Sequence, residues 1–462
     1  MQQARMTVAL FAFAAMAGAA GAQEALKAAL PDATPCPEAI AGIATCYGVK
    51  HEIGAYITAA VPKNWNGHLV VFAHGGPSLL PPTATGSNTD LDKYAYAVRR
   101  GFAWVASSYR REGYGVAMAA ADTDNARKFF IARIGKPQRT VLHGASYGGL
   151  VGAKLIETYA KNPDGSLNFD GAFLNSGAVT GATLNYQHRV DLRAVYQYYC
   201  KNMPRPDEAQ YPLWNGVAPD SQMTLKDLDT VVDECTGVGH PAAARSDRQK
   251  QNLANILGVM GYPENLLVRH MQAGTLLFRD IVRNTTGGRN PFSNVGVRYK
   301  GSSDDATLNR EVGRFEADPA AAAALRADGD PTGVLPVPVV SIHSINDPQV
   351  VVEAQSAYLD AAKAAGGADR LVQAFTDERG HTAQSAPELA AGLDALMQWV
   401  EKGTKPTAQS IAAGCEQLRA SLMARAAIIR NMRRNPTPPA TTRARPRCGS
   451  GRQSPPRSST CS

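Results

Sequence analysis

Charge is scarce in this sequence. Only 19% of its 462 residues are Asp, Glu, Lys or Arg, against 44% hydrophobic. That balance excludes an intrinsically disordered chain and leaves apolar material for a large core. Gly and Pro number 42 and 29 and follow no three-residue period, which excludes collagen-like and low-complexity architectures. No internal repeat is present. Acidic residues and lysine are missing altogether from residues 419–462, a segment holding ten arginines. The remaining residues carry 38 basic and 40 acidic groups, so the formal charge of +8 belongs to the tail. The body therefore lacks the basic excess that nucleic-acid binding needs.

Several motifs are absent as well. There is no HExxH, no GxxxxGK[ST] and no GxGxxG in a strand-to-helix setting, so no metal, dinucleotide or nucleotide cofactor is expected. After residue 22 no apolar run reaches the roughly 20 residues of a membrane-spanning helix, and none is expected in the mature protein. Residues 1–22 read as a signal peptide: Arg5 leads, an apolar stretch spans residues 7–17, and Ala20-Gly21-Ala22 forms a small-residue cleavage site. The expected location is secreted or periplasmic. In such a compartment the seven cysteines, which include no CxxC, read as disulfide formers. Cys200 with Cys235 is the preferred pair and Cys36 with Cys46 is equally close in sequence, while Cys415 takes one of those partners or stays free.

Along the chain, residues 47–61 alternate as two antiparallel strands and residues 67–73 form a third, apolar one. Short buried-type strands follow at residues 102–106, 140–143, 171–174, 337–342 and 371–375. Helical stretches fill residues 116–134, 148–160, 350–365 and 387–402. This alternation predicts an α/β fold with a mostly parallel sheet flanked by helices. Residues 177–336 are far too long for an αβ connection and show no strand alternation, which predicts a large, mainly helical cap inserted before the acid-bearing strand. The expected organisation is a signal peptide (1–22), a first core segment (23–176), the cap (177–336), a second core segment (337–418) and a disordered Pro/Arg/Ser-rich tail (419–462).

The chemistry concentrates at Gly144-Ala145-Ser146-Tyr147-Gly148-Gly149, placed between a strand and a helix. This is the pattern of a nucleophile elbow, in which Ser sits on a sharp turn whose flanking positions must be small. Ser146 is the candidate nucleophile, with its Oγ at the positive end of a helix. A serine needs a base, and His381 lies in a polar loop just after the strand at residues 371–375. Asp347, a few residues beyond the preceding strand, is the candidate acid, with Asp377 as runner-up, because the order Ser, Asp, His fits Asp347 better. The backbone amide of Tyr147 is one candidate oxyanion donor. The loop His74-Gly75-Gly76-Pro77 supplies the second; Pro77 has no N–H, so Gly76 is preferred and Gly75 is the alternative.

Taken together, these motifs resemble the α/β-hydrolase family over residues 47–402. The HGGP and GxSYGG versions are similar to those of prolyl-oligopeptidase-like and proline-iminopeptidase-like serine peptidases and of secreted esterases. The resemblance implies serine hydrolysis through an acyl-enzyme, with a small-molecule or peptide substrate. Ester cleavage is expected over peptide cleavage because no acidic anchor for a free N-terminus is evident, although Asp207-Glu208 and Asp233-Glu234 are candidates. A non-catalytic binding protein on the same fold is the third reading. Tyr196-Gln197-Tyr198-Tyr199-Cys200 is either an aromatic substrate wall or cap packing. Tyr109-Arg110-Arg111 either steers an anionic substrate group or forms a solvated loop edge.

Overall fold

The structure is a computed structural model that describes residues 30–433. The expected signal peptide and residues 434–462 lie outside the described residues. Among the described residues nine strands form one sheet: β1 (Ala33–Thr34), β2 (Ala44–Lys50), β3 (Tyr56–Pro62), β4 (His68–Ala73), β5 (Ala103–Ser107), β6 (Arg139–Ala145), β7 (Gly171–Asn175), β8 (Val339–Ser344) and β9 (Leu371–Thr376). Their spatial order is β1-β2-β3-β5-β4-β6-β7-β8-β9. Pairings from β1 to β5 along that order are antiparallel, and every pairing from β5 to β9 is parallel. Strands β5, β7 and β8 are buried at every position, which is why they read as continuous apolar runs and not as alternating ones.

Before β7 come α1 (Asn88–Lys93), α2 (Tyr96–Arg99), α3 (Val116–Arg133) and α4 (Tyr147–Tyr159). Between β7 and β8 lies the helical insertion, with α5 (Gly181–Cys200), α6 (Leu225–Thr236) and α7 (Asp247–Met260). A helical run, α8, starts at Leu267 and carries π-helical turns at Ala273–Leu277 and Ile281–Thr285. The shorter α9 (Asp305–Glu311) and α10 (Pro319–Gly329) complete the insertion. After β8 come α11 (Glu353–Ala364), α12 (Ala386–Lys402) and α13 (Ala408–Arg433).

Helices α3, α4 and α11 bury Phe130, Leu150, Leu155 and Tyr358 on one face of the sheet. On the other face, α2, α12 and α13 bury Val98, Leu396, Ile411 and Cys415. The insertion has a third apolar cluster of its own, including Leu192, Tyr196, Val232, Ile256 and Met271. Disulfides join Cys36 to Cys46 and Cys200 to Cys235, the second tying α5 to α6. Cys415 takes neither of those partners and is itself disulfide-bonded. Among the described residues no helix is long and apolar enough to cross a membrane.

One expectation needs correction. Residues 419–433, assigned to a disordered tail, continue α13. The segment is rich in Ala, Leu, Met and Arg, all strong helix formers, and the first proline comes only at Pro436. Arg419 also reaches the buried Glu388 of α12 at 3.9 Å.

Candidate active site

Ser146 stands between β6 and α4 with φ of 58°, in the left-handed region that a side chain enters only at a cost. Close approach explains its neighbours. A Cβ on Gly144 would lie 2.3 Å from the Gly148 carbonyl oxygen, one on Gly148 would lie 2.0 Å from that of Ala73, and one on Gly149 would lie 2.5 Å from the Gly177 Cα. Three backbones therefore converge beneath the serine. Its own N–H donates to the Asn175 carbonyl at 3.1 Å, and its carbonyl accepts from Ala178 at 3.0 Å.

The Ser146 hydroxyl lies 2.6 Å from His381 Nε2. His381 Nδ1 lies 2.8 and 3.0 Å from the two carboxylate oxygens of Asp347. A carboxylate only accepts, so Nδ1 carries the proton and Nε2 is left to accept from the serine. Asp347 is 5% exposed and also accepts the amides of Gln349 and Val350 at 2.9 and 3.0 Å. Burial pushes its carboxyl up, but the His381 and backbone hydrogen bonds outweigh this and hold it below its ordinary range.

Geometry excludes a neighbouring histidine, His343, as the base and Asp377, the runner-up, as the acid. His343 is fully buried, with Nε2 donating to the Val350 carbonyl at 2.8 Å and Nδ1 accepting from Gln355 at 3.1 Å. Both nitrogens are committed to the neutral ring, and burial lowers its pKa further. His381 donates to Asp347, whereas Asp377 offers its carbonyl to Asn346 at 2.8 Å and so ties the acid loop to the histidine loop. Lys93 fixes the far side of that loop through the Thr382 hydroxyl at 2.6 Å.

The HGGP loop faces the serine from β4. A Cβ built on Gly75 would lie 3.8 Å from Ser146 Cβ. Gly76 has φ of 141° and precedes a cis bond to Pro77. Among the described residues no backbone acceptor takes the amide of Gly76 or Tyr147, which leaves both as donors for a ligand. The loop is anchored behind by an ion pair between His74 and Asp90 and by the Tyr109 hydroxyl, which donates to the His74 carbonyl at 2.7 Å.

These groups open into a cavity of about 320 Å³ whose opposite wall comes from the insertion, with Tyr186, Arg189, Arg269, His270 and Leu277 among its lining. A second chamber of about 530 Å³ shares Asn185, His270, Gln349 and Val350 with the first. Arg189, Arg269 and His270 escape sequence reading, since nothing local marks them and only the packing of α5 against α8 brings them together. The remaining sequence candidates take structural places. Tyr196 is buried in the insertion core and donates to the Val231 carbonyl at 3.1 Å. Arg110 and Arg111 are paired with Asp122 and Asp280. Glu208 and Glu234 both lie near Arg205, Asp233 is 3.0 Å from His240, and neither acidic pair lines the cavity. Among the described residues no cluster of acids, histidines or cysteines has metal-binding geometry.

No family model and no curated protein sequence matches the chain. Solved structures similar to it include feruloyl esterase B from Aspergillus oryzae, at 16% identity over 79% of this chain and 82% of that one, with a TM-score of 0.41. A puromycin-hydrolysing peptidase of Mycobacterium tuberculosis is 13% identical over 79% of this chain and 40% of its own, with a TM-score of 0.38. An esterase from Exiguobacterium antarcticum is 14% identical over 77% and 98%, with a TM-score of 0.34. The architecture is assigned on strand order instead: an antiparallel entry, a parallel run from β5 to β9, an elbow after β6 and a helical insertion before β8. With these features the chain has the α/β-hydrolase fold.

Proposed function

We propose that this protein is a serine hydrolase that cleaves a carboxylic ester through an acyl-enzyme. The observation that carries the reading is the hydrogen-bonded line from Ser146 through His381 to Asp347. In this reading His381 takes the serine proton as Oγ attacks the carbonyl carbon, and Asp347 stabilises the imidazolium that results. The amides of Tyr147 and Gly76 receive the negative charge that develops on the carbonyl oxygen. His381 then returns the proton to the departing alcohol, and water releases the acid by the same steps in reverse.

Ester is preferred to peptide because the cavity lining contains no Asp or Glu to hold an N-terminal ammonium. Two disulfides support an oxidising compartment outside the cytoplasm. The test compares p-nitrophenyl butanoate with aminoacyl p-nitroanilides on wild type and Ser146→Ala. Ester turnover should fall at least ~10⁴-fold in the variant with the fold intact. Anilide turnover lost in the same way would move the assignment to a peptidase, and turnover retained by the variant would remove the serine from the chemistry.

A further inference from the structure

The cavity wall opposite Ser146 is positively charged and has nothing to neutralise it. Arg189 of α5 is 7% exposed. Its guanidinium donates to the Asn185 carbonyl and lies 5.3 Å from the centre of the Tyr186 ring, while its Nε is buried with no partner. Arg269 of α8 lines the same cavity, and its charge adds to the burial that disfavours the charge on Arg189. No carboxylate comes within 4.0 Å of either arginine among the described residues. Beside them His270 is 1% exposed and both of its ring nitrogens lack partners.

Burying a guanidinium without a counter-charge is costly, and folded proteins meet that cost by pairing it. Elsewhere in this chain Arg127, 5% exposed, holds Asp124 at 2.7 Å, and the partly exposed Arg111 and Arg245 each hold a carboxylate. Arg193, one turn along α5, is also buried without a carboxylate; its Nη2 bonds the carbonyls of Met203 and Gly216 at 3.0 and 3.2 Å and its Nε and Nη1 lack partners, but it does not line the cavity. Arg189 is thus the buried arginine that meets the substrate space with donors to spare, and Arg269 and His270 add to the same place.

We infer that Arg189, Arg269 and His270 form an anion subsite, and that the substrate is an ester carrying a free carboxylate. The inference rests on the hydrolase reading and narrows its substrate class. The planar Arg189 fork suits a carboxylate, and a counter-charge brought by the substrate is desolvated as the cavity fills, where charge-assisted hydrogen bonds are strongest. The carboxylate sits either on the acyl part, as in a dicarboxylic monoester, or on the departing alcohol, as in an acylated hydroxy acid.

Paired substrates separate these cases. Mono-p-nitrophenyl glutarate is compared with p-nitrophenyl pentanoate for the acyl side, and O-butanoylglycolate with O-butanoylglycolamide for the alcohol side. The charged member of one pair should have the higher kcat/KM. That charged-to-neutral ratio should fall about 100-fold in Arg189→Gln and about 10-fold in Arg269→Gln, whose side chain is exposed enough to spare the fold. A ratio at or below one for both pairs, unmoved by either variant, overturns the subsite while leaving Ser146-dependent hydrolysis standing. If no ester shows Ser146-dependent turnover, the hydrolase reading fails separately. The subsite is then decided by calorimetric binding of glutarate to Ser146→Ala protein: binding abolished by Arg269→Gln supports it, and absence of binding overturns it.

Discussion

The two walls of the cavity are built in different ways. On the sheet side, Ser146, Asp347 and His381 sit on the turns that follow β6, β8 and β9, and their positions are set by backbone: a left-handed residue, three glycines at van der Waals limits, and a carboxylate held by two amides. On the insertion side, the wall is made of long side chains from α5 and α8 whose polar atoms are incompletely satisfied. A wall fixed by backbone tolerates almost no substitution, whereas one built from side chains is open to change in what it recognises. Under the proposed function, reaction type belongs to the sheet and selectivity to the insertion.

Five variants test that division. The largest effect is expected for Asp347→Asn, which keeps the shape of the acid but favours the wrong imidazole tautomer. Its kcat should fall about 10³- to 10⁴-fold without loss of thermal stability, whereas His343→Gln, on the strand before it, should cost less than about 10-fold because that ring bonds Val350 and Gln355 and not Ser146. Next is Gly148→Ala, whose methyl would meet the Ala73 carbonyl at 2.0 Å. Neither backbone can retreat, so urea unfolding should show a loss of about 3–5 kcal/mol, far beyond an ordinary glycine-to-alanine change. A loss under 1 kcal/mol, within what a surface change costs, would mean the sheet wall is more plastic than proposed.

Third, the paired change Cys200→Ser and Cys235→Ser opens a loop of 35 residues confined to the insertion. It should destabilise by about 3 kcal/mol and shift kcat/KM between substrates of different size more than it shifts kcat on the smallest one. The smallest effect concerns His143, which lies under the elbow with Nε2 2.8 Å from the Asn175 side-chain oxygen. Burial pushes this imidazole down to about 4. Above pH 6.5 the ring is neutral in both folded and unfolded chains and stability is unaffected. As pH falls from 6.5 towards 4, only the unfolded chain takes up the proton, so stability is lost, by about 2 kcal/mol at pH 5. His143→Gln should flatten that acid limb in a pH series of thermal melts.

The sheet wall was readable in advance for the same reason that it is rigid. Gly144, Ser146, Gly148 and Gly149 lie within six residues and each small side chain answers a local steric demand, so the pattern survives in one dimension. His74-Gly75-Gly76-Pro77 and the order of Asp347 and His381 followed from the strands that carry them, and those strands were readable as short apolar runs. The insertion wall was not. Arg189 and Arg269 stand on different helices with no motif around either, and their joint meaning exists only once α8 has packed on α5. Tyr196 and its neighbours were the more conspicuous signal in the same helix, yet Tyr196 faces the insertion's core. Composition also misled at residues 419–433, where an excess of arginine conceals a run of good helix formers.

The insertion's separate apolar cluster and its own crosslink bear on how the molecule breathes. Parts of one chain that pack in different clusters open with different free energies, the less stable first. Tyr186 and Val190 of α5 and Leu277, Phe278 and Ile281 of α8 belong to the same cluster as Phe130 and Leu150 of the sheet, so the part of the insertion that can loosen while Ser146, Asp347 and His381 keep their hydrogen bonds is the part around α6 and α7. Under the proposed function, the rate at which bulky molecules enter and products leave would follow the local opening of that outer part of the insertion, while the sheet and its turns stay folded.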